Sequence, residues 1–348
     1  MSFKSLFNQK NINTNKPFVI AEIGHNHKGS VEIAKKLFLS AKDCGADAVK
    51  LQKRDNKFLY TDEFYNEPYN SENSYGKTYG KHRDHLEFNK KEYLELIKYA
   101  KKIGIEFLCT PFDFNSIKFL QKIKIKAYKI ASADLINIPL VIEIAKTKKP
   151  IFLSTGGGNF KDIDRAVKCI TKINKKLAIL HCTASYPVNL EDMNLNVIKE
   201  LKKKYSNYLI GLSDHENGID AAPLAYMLGA RVFEKHFTLD RSWKGTDHAF
   251  SLEPIGLSKL IRNLNRITII LGRSNKKFLA SEKKPLFKMH KSIVANKDLK
   301  KGKKLIYSDL AYKSPGGGLK PYEYKKLINK IIKKDITKDQ KLSFKDLK

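Results

Sequence analysis

Three pairs of polar residues, Lys50 with Gln52, Ser213 with His215 and Glu234 with His236, each close a short run of aliphatic or β-branched residues. Side chains two apart share one face of a strand, so each pair projects to the same side. Other strand-like runs end the same way. They end at Glu22, at Thr110, at Lys129 followed by Ser132, at Ser154 with Thr155, and at Cys182 with Thr183. Gathered at one place, Lys50, Lys129, Thr110, Ser132, Ser154 and Ser213 make a cationic, hydroxyl-rich pocket. Gly156-Gly157-Gly158 adds backbone N–H groups nearby. Such a pocket suits a phosphate together with a carboxylate. His215 and His236 supply two imidazoles, which suit a borderline divalent ion such as Mn²⁺ completed by water or substrate oxygens. His25 and His27 form a second histidine pair, but on a loop, and are not taken as ligands. Lysines on three of the runs also permit Schiff-base aldolase chemistry, which would leave the histidine pair without a task.

The elements that must bring these ends together are legible as an alternation. Strand-like runs cover residues 18–23, 48–52, 105–109, 126–130, 150–154, 178–182, 208–212 and 231–236. Amphipathic helical patterns separate them, for example 90–102, 162–173, 198–205 and 218–228, with Ser30 as N-cap of a helix through Asp43 and a last helix near 257–271. Eight β/α units predict a parallel (β/α)8 TIM barrel, in which catalytic groups sit at the C-terminal strand ends. A doubly wound open sheet is the alternative, since periodicity does not prove closure. Residues 53–88 read as a long polar loop covering the substrate. After Glu282 the texture changes to short strand-like pieces, 292–295 and 304–306, and turn signals at Gly302 and Pro315-Gly316-Gly317-Gly318. We therefore divide the chain into a barrel, 1–282, and a small C-terminal domain, 283–348.

Composition narrows the class. The chain has 348 residues, 42% hydrophobic and 30% charged, as expected of a soluble globular protein. No apolar run is long enough to span a membrane. The first residues lack the apolar core of a secretion signal. Four cysteines, Cys44, Cys109, Cys169 and Cys182, fit neither a zinc motif nor a disulfide framework, so we read reduced thiols and a cytoplasmic protein. The net charge is +31. Lysine dominates it, and arginine, the residue suited to base and phosphate forks, is scarce, so no nucleic-acid partner is expected. A positive field still draws in small anions.

The same residues carry a family resemblance. The segment Ile20-Ala21-Glu22-Ile23-Gly24-His25-Asn26-His27-Lys28-Gly29-Ser30 resembles the opening motif of the sialic acid synthase family. Tyr128-Lys129-Ile130-Ala131-Ser132, Leu153-Ser154-Thr155-Gly156, His181-Cys182-Thr183 with Tyr186-Pro187, Gly211-Leu212-Ser213-Asp214-His215 and Glu234-Lys235-His236-Phe237-Thr238 follow in the family's order. The C-terminal part resembles its small antifreeze-like (SAF) domain. The resemblance implies a transferase that condenses phosphoenolpyruvate (PEP) with N-acetylmannosamine or a related open-chain amino sugar to a nonulosonic acid and phosphate. Legionaminate, pseudaminate and Kdn-type synthases are alternatives, and a non-catalytic binding protein using the basic surface is the contrasting class. By the same resemblance Lys50, Thr110, Lys129, Ser132, Ser154 and Ser213 would hold PEP. His215 and His236 would hold a divalent metal, Mn²⁺ with Mg²⁺ or Co²⁺ as alternatives. Glu22 would act at the reacting carbons. Gln52, Asp134, Tyr186 and Asp247 would touch the sugar. A domain-swapped homodimer is implied as well. Three positions depart from the family pattern: Ser314 in Lys313-Ser314-Pro315-Gly316 where an Arg is usual, Asp134 for Glu, and Ala184 for Asn.

Overall fold

The computed structural model describes residues 1–8 and 15–348, which form two compact units, Met1–Gly272 and Arg273–Lys348. In the first, eight parallel strands pair in sequence order: β1 Phe18–Gly24, β2 Ala48–Lys53, β3 Glu106–Pro111, β4 Tyr128–Ile130, β5 Ile151–Ser154, β6 Leu177–Cys182, β7 Leu209–Asp214 and β8 Val232–His236. A ladder from Phe18↔Val232 to Glu22↔His236 joins β8 back to β1. That ladder closes the expected barrel and removes the open-sheet alternative.

The surrounding helices start and stop where local chemistry dictates. Ser30 Oγ accepts the Ile33 N–H to open the helix Val31–Asp43. Asn89 and Asn159 form capping boxes with Glu92 and Asp162 before Lys90–Ile103 and Phe160–Ile173. Gly104, at φ 72°, ends the first of these in the left-handed conformation.

Alternation along each strand then sorts side chains into two populations. Val19, Ala21 and Ile23 of β1 join the large apolar layer between barrel and helices. The opposite face fills the barrel interior: Phe18, Ile20, Ala48, Leu108, Ala127, Phe152, Ala178, Leu180, Leu209 and Val232, capped from below by Phe3 and Leu6 of the helix Phe3–Leu6. One step further along that inward face the residues turn polar: Glu22, Lys50, Thr110, Lys129, Ser154, Ser213 and Glu234. A dry apolar plug therefore supports a polar floor; the change of chemistry occurs within two positions on β1, β2, β3, β4, β5 and β8, while β6 reaches Cys182 and β7 passes through Gly211 before Ser213. Phe152 anchors the plug, with ring centroids 5.9, 5.4 and 6.2 Å from Phe3, Phe7 and Phe18. Phe152→Ala is expected to cost about 3–5 kcal/mol, read as a lower denaturant midpoint at unchanged slope.

Residues 53–88 do not form the expected open loop. They fold into short helices Asn56–Leu59, Asp62–Asn66 and Tyr79–His85. Asp84 receives hydrogen bonds from Asn56 Nδ2 (3.0 Å) and Tyr65 Oη (2.5 Å). A Cβ on Gly80 would lie 2.2 Å from the Tyr65 ring. Tyr65 and Gly80 of this polar stretch are thus packing residues.

The second unit pairs β9 Ser292–Ala295 with β10 Leu310–Lys313 in antiparallel fashion, over a small core that includes Ile293, Leu299, Leu305, Leu327 and Ile336. The expected strand at 304–306 is reduced to a single bridge, Lys304↔Ile331. Among the described residues no helix is long and apolar enough to cross a membrane.

Candidate active site

A cavity of about 700 Å³ opens at the C-terminal ends of the barrel strands. Glu22, Lys50, Gln52, Thr110, Lys129, Ser132, Ser154, Tyr186, Ser213, His215, His236 and Asp247 all line it. Of the residues selected from the sequence only Asp134 is absent from its wall. The Asp134 carboxylate sits in the turn Ser132–Asp134 and accepts from Asn137 Nδ2 at 3.0 Å.

The floor is an alternating charge cluster. Lys50 Nζ lies 2.9 Å from Glu22 Oε2 and 3.6 Å from Glu234 Oε1, and donates to Thr110 Oγ1 at 3.1 Å. Lys129 Nζ lies 3.3 Å from the same Glu234 oxygen, to which Ser213 Oγ also donates at 3.2 Å. Gln52 Nε2 donates to Glu22 Oε1 at 2.7 Å. Burial and neighbours push the two carboxyls apart. Burial raises Glu22, only partly countered by Lys50. Glu234 is equally buried, yet Lys129 and Lys50 bring it down to about 2. The two carboxyls thus differ in proton affinity, Glu22 lying above its ordinary range and Glu234 below it, the separation that acid–base sites use. Lys50 is held cationic against its burial by Glu22 and Glu234, whereas burial lowers Lys129 despite Glu234.

Beside the lysines lies a cradle of hydroxyls. Gly156 N–H donates to Ser132 Oγ at 3.1 Å, and Ser132 Oγ donates to Cys182 Sγ at 3.3 Å. A Cβ on Gly156 would stand 2.7 Å from Ser132 Oγ and 3.1 Å from the Ala184 nitrogen, so glycine keeps this space open. Among the described residues, Ser154 Oγ, Glu234 Oε2 and His236 Nδ1 are buried with no hydrogen-bond partner. Orphaned polar atoms converging on one cavity mark the place of a polar ligand.

His215 and His236 face each other with ring centroids 5.5 Å apart, against Tyr186 and Phe250. Burial brings both imidazoles to about 4, so both are neutral near pH 7. His215 Nδ1 lies 2.9 Å from the Thr183 carbonyl. A carbonyl only accepts, so Nδ1 carries the proton and Nε2 keeps the lone pair. Asp247 Oδ2 is 3.8 Å from His236 Nδ1. Among the described residues no group of three or more His, Cys, Asp or Glu side chains is gathered to hold a metal ion. Two neutral nitrogens with an orphaned ring atom between polar walls do fit a divalent ion that takes its other ligands from water or substrate.

The outer wall contains residues that sequence reading gave no role. Arg54 Nη1 and Arg83 Nη1 face the two ring nitrogens of His25 at 3.0 and 3.1 Å. Arg54 Nη2 donates to Gln52 Oε1 at 2.7 Å. Glu234, a strand-end residue already noted, is the hub of the floor. Its parity with His236 was the available signal. His27 is excluded from the cavity: its ring stacks on Phe88 at 4.2 Å and accepts the Gly29 N–H. Lys235, the third strand lysine, turns outward and pairs with Asp214 at 2.7 Å.

Comparison with known proteins gives the following matches. A model of the NeuB family matches residues 37–276, and a SAF domain model matches residues 290–348. The chain is 38% identical over 317 residues to a human N-acetylneuraminate-9-phosphate synthase, covering 91% of this chain and 88% of that one. It is 37% identical over 329 residues to an N,N'-diacetyllegionaminic acid synthase of Campylobacter jejuni, covering 93% and 98%. The solved N-acetylneuraminic acid (sialic acid) synthetase of Leptospira borgpetersenii superposes with a TM-score of 0.67 at 35% identity, covering 78% of this chain and 90% of that one.

Proposed function

Because this chain belongs to the NeuB family, we propose that it is a transferase joining PEP to an open-chain amino sugar, with release of inorganic phosphate and formation of a nonulosonic acid. The observation that carries this reading is the buried floor. There two lysines, held by Glu22 and Glu234, adjoin a hydroxyl and glycine cradle and a pair of neutral histidines within one cavity. Relatives of both sialic and legionaminic type leave the acceptor open, and their names differ in whether the product carries a phosphate.

In this mechanism Lys50, Thr110, Lys129, Ser132, Ser154 and Ser213 bind the phosphate and carboxylate of PEP and set its methylene toward the sugar. Gln52, Tyr186 and Asp247 orient the acceptor. Asp134 acts indirectly, by fixing the turn that carries Ser132. The PEP methylene forms a bond to the aldehyde carbon, whose oxygen takes a proton. Water adds to the former enol carbon and loses a proton. The C–O bond to phosphate then breaks as the new hydroxyl gives its proton to the departing phosphate, leaving the ketone. Glu22, raised by burial, is suited to move a proton at the aldehyde oxygen, while Lys50 and Lys129 compensate the anionic charge throughout. His215 and His236 would hold the divalent ion, Mn²⁺ in preference to Mg²⁺ or Co²⁺, and when bound it supplies Lewis-acid polarisation of the acceptor. The Schiff-base alternative is weakened by Lys50 being held cationic and by Lys235 facing away from the cavity.

The small domain supports a homodimer by the slenderness of its core. Ser314 stands where a guanidinium would serve an N-acetyl group, so recognition of that group rests on other contacts. Four free cysteines support a reducing, cytoplasmic location. Incubation with PEP, Mn²⁺ and a panel of hexosamine acceptors should release phosphate and give a nine-carbon acid by mass spectrometry. ¹⁸O in the bridging position of PEP should leave with the phosphate. Sedimentation of the same preparation should give a dimer. Absence of phosphate release with every acceptor would replace this reading with a non-catalytic binding protein.

A further inference from the structure

We propose that the wall formed by His25, Arg54 and Arg83 is a second anion site in the cavity, and that it takes the phosphoryl group of a phosphorylated sugar acceptor. This rests on the synthase reading and names its substrate class.

The charge ledger of the cavity points there. On the floor, Lys50 and Lys129 are matched by Glu22 and Glu234. On the outer wall the arginines meet carboxylates only from farther off, Arg54 those of Glu87 and Asp134, and Arg83 that of Asp247. Among the described residues neither guanidinium has a carboxylate within ion-pair distance. Glu87 reaches only the Arg54 backbone N–H, at 3.2 Å, and spends its charge on Lys53 at 2.7 Å. Arg54 is nonetheless 8% exposed. A buried cation with no directly paired counter-ion is costly, and an anion placed beside it would relieve that cost.

The hydrogen bonds around His25 lead to the same conclusion. A neutral imidazole has one acceptor nitrogen. Burial and both arginines keep His25 neutral. Yet both of its nitrogens face guanidinium N–H groups. One of the two contacts is therefore donor against donor, and an oxygen anion placed at the mismatched arginine relieves it.

Both guanidiniums are also fixed in advance. Arg54 stacks on Phe112 with its central carbon 3.8 Å from the ring centroid. Arg83 is pinned by Tyr79 Oη, which accepts from Nε at 3.0 Å and from Nη2 at 2.7 Å. Two forks held in place, with donors to spare, match the several oxygens of a phosphate monoester better than a single carboxylate. Gln52 bridges the site to the floor, since its amide joins Arg54 Nη2 at one end and Glu22 at the other. A sugar lying along Gln52 would bring its aldehyde end to Glu22 and its far end to the arginines.

The test is calorimetric titration of the full-length protein with N-acetylmannosamine 6-phosphate and with N-acetylmannosamine, in wild type and in Arg83→Gln. The wild type should bind the phosphate ester about 10- to 100-fold more tightly, and Arg83→Gln should lose most of that preference. Equal affinities in the wild type would overturn the proposal. So would a preference that survives in Arg83→Gln, because the phosphate would then be bound elsewhere, at the lysine floor. Arg83→Lys, which keeps the charge and loses the fork, should fall between the two and serves if the glutamine variant fails to fold. Turnover of PEP with either sugar, followed in parallel, reports on the synthase reading alone. A phosphate-dependent affinity without turnover would leave the anion site standing and remove the synthase.

Discussion

Glu234→Gln is expected to lower kcat/KM for PEP on the order of 10³-fold, with most of the loss recovered as the pH is lowered. The substitution keeps the shape and removes only the charge. Glu234 is the carboxylate that Lys129 meets within ion-pair distance, at 3.3 Å, whereas Lys50 has Glu22 as well. Lys129 is already lowered by burial, with Glu234 as the opposing influence. Without that opposing charge the amine is lowered further and gives up its proton at a lower pH than in the wild type. A neutral amine no longer attracts an anionic substrate. The sign follows: a lysine keeps its proton below its pKa, so activity of the variant should rise as pH falls while the wild type stays flat by comparison. The measurement is kcat/KM for PEP from roughly pH 6 to 9. A change smaller than about threefold, or a loss independent of pH, would mean that Glu234 only fills space.

That a residue with such leverage received no role from the sequence shows what one-dimensional reading captures here. The barrel was legible because most strands repeat one device, an apolar inward residue followed two positions later by a polar one, as in Ile20 and Glu22 or Phe152 and Ser154. Strand parity likewise grouped Lys50 with Gln52 and Ser213 with His215. Parity alone misleads where a strand is polar on both faces. Lys235 lies between Glu234 and His236 and faces away from the cavity, toward Asp214. The direction of a side chain in a tight turn was not legible either: Asp134, two residues beyond Ser132, accepts from Asn137 through one carboxylate oxygen and keeps the other buried without a partner. Nor was the outer wall. Arg83 meets His25 across 58 residues of chain, on a seven-residue helix inside a stretch whose tyrosines and glycines read as irregular. Short helices held by side-chain packing leave little periodicity to read. The charge balance was illegible for a related reason. Net composition gives +31 for the whole chain, but whether a given cation is matched depends on which carboxylate folding brings within 4 Å.

His236→Ala is expected to remove activity, by on the order of 10³-fold or more, while the protein still folds. The ring sits above the apolar plug and packs on Phe250 at 4.9 Å and on Tyr186 at 6.1 Å, both at the cavity. The backbone of residue 236 still pairs with Glu22, so closure of the barrel does not depend on the side chain. Stability should therefore change by no more than about 2 kcal/mol. The site behaves differently. Loss of one imidazole of the facing pair leaves His215 as a single nitrogen ligand, and a lone neutral ligand holds a divalent ion weakly against water. Mn²⁺ binding, read by the loss of the free-ion resonance in electron paramagnetic resonance, should fall together with activity. Added Mn²⁺ should restore little, because the missing element is a ligand and not the ion. Treating the wild type with EDTA should abolish turnover reversibly, with recovery on adding Mn²⁺ back. Full activity in His236→Ala, or in the EDTA-treated wild type without added metal, would separate the histidine pair from the metal. It would leave the two rings as walls for the substrate, a role that Tyr186 and Phe250 already fill.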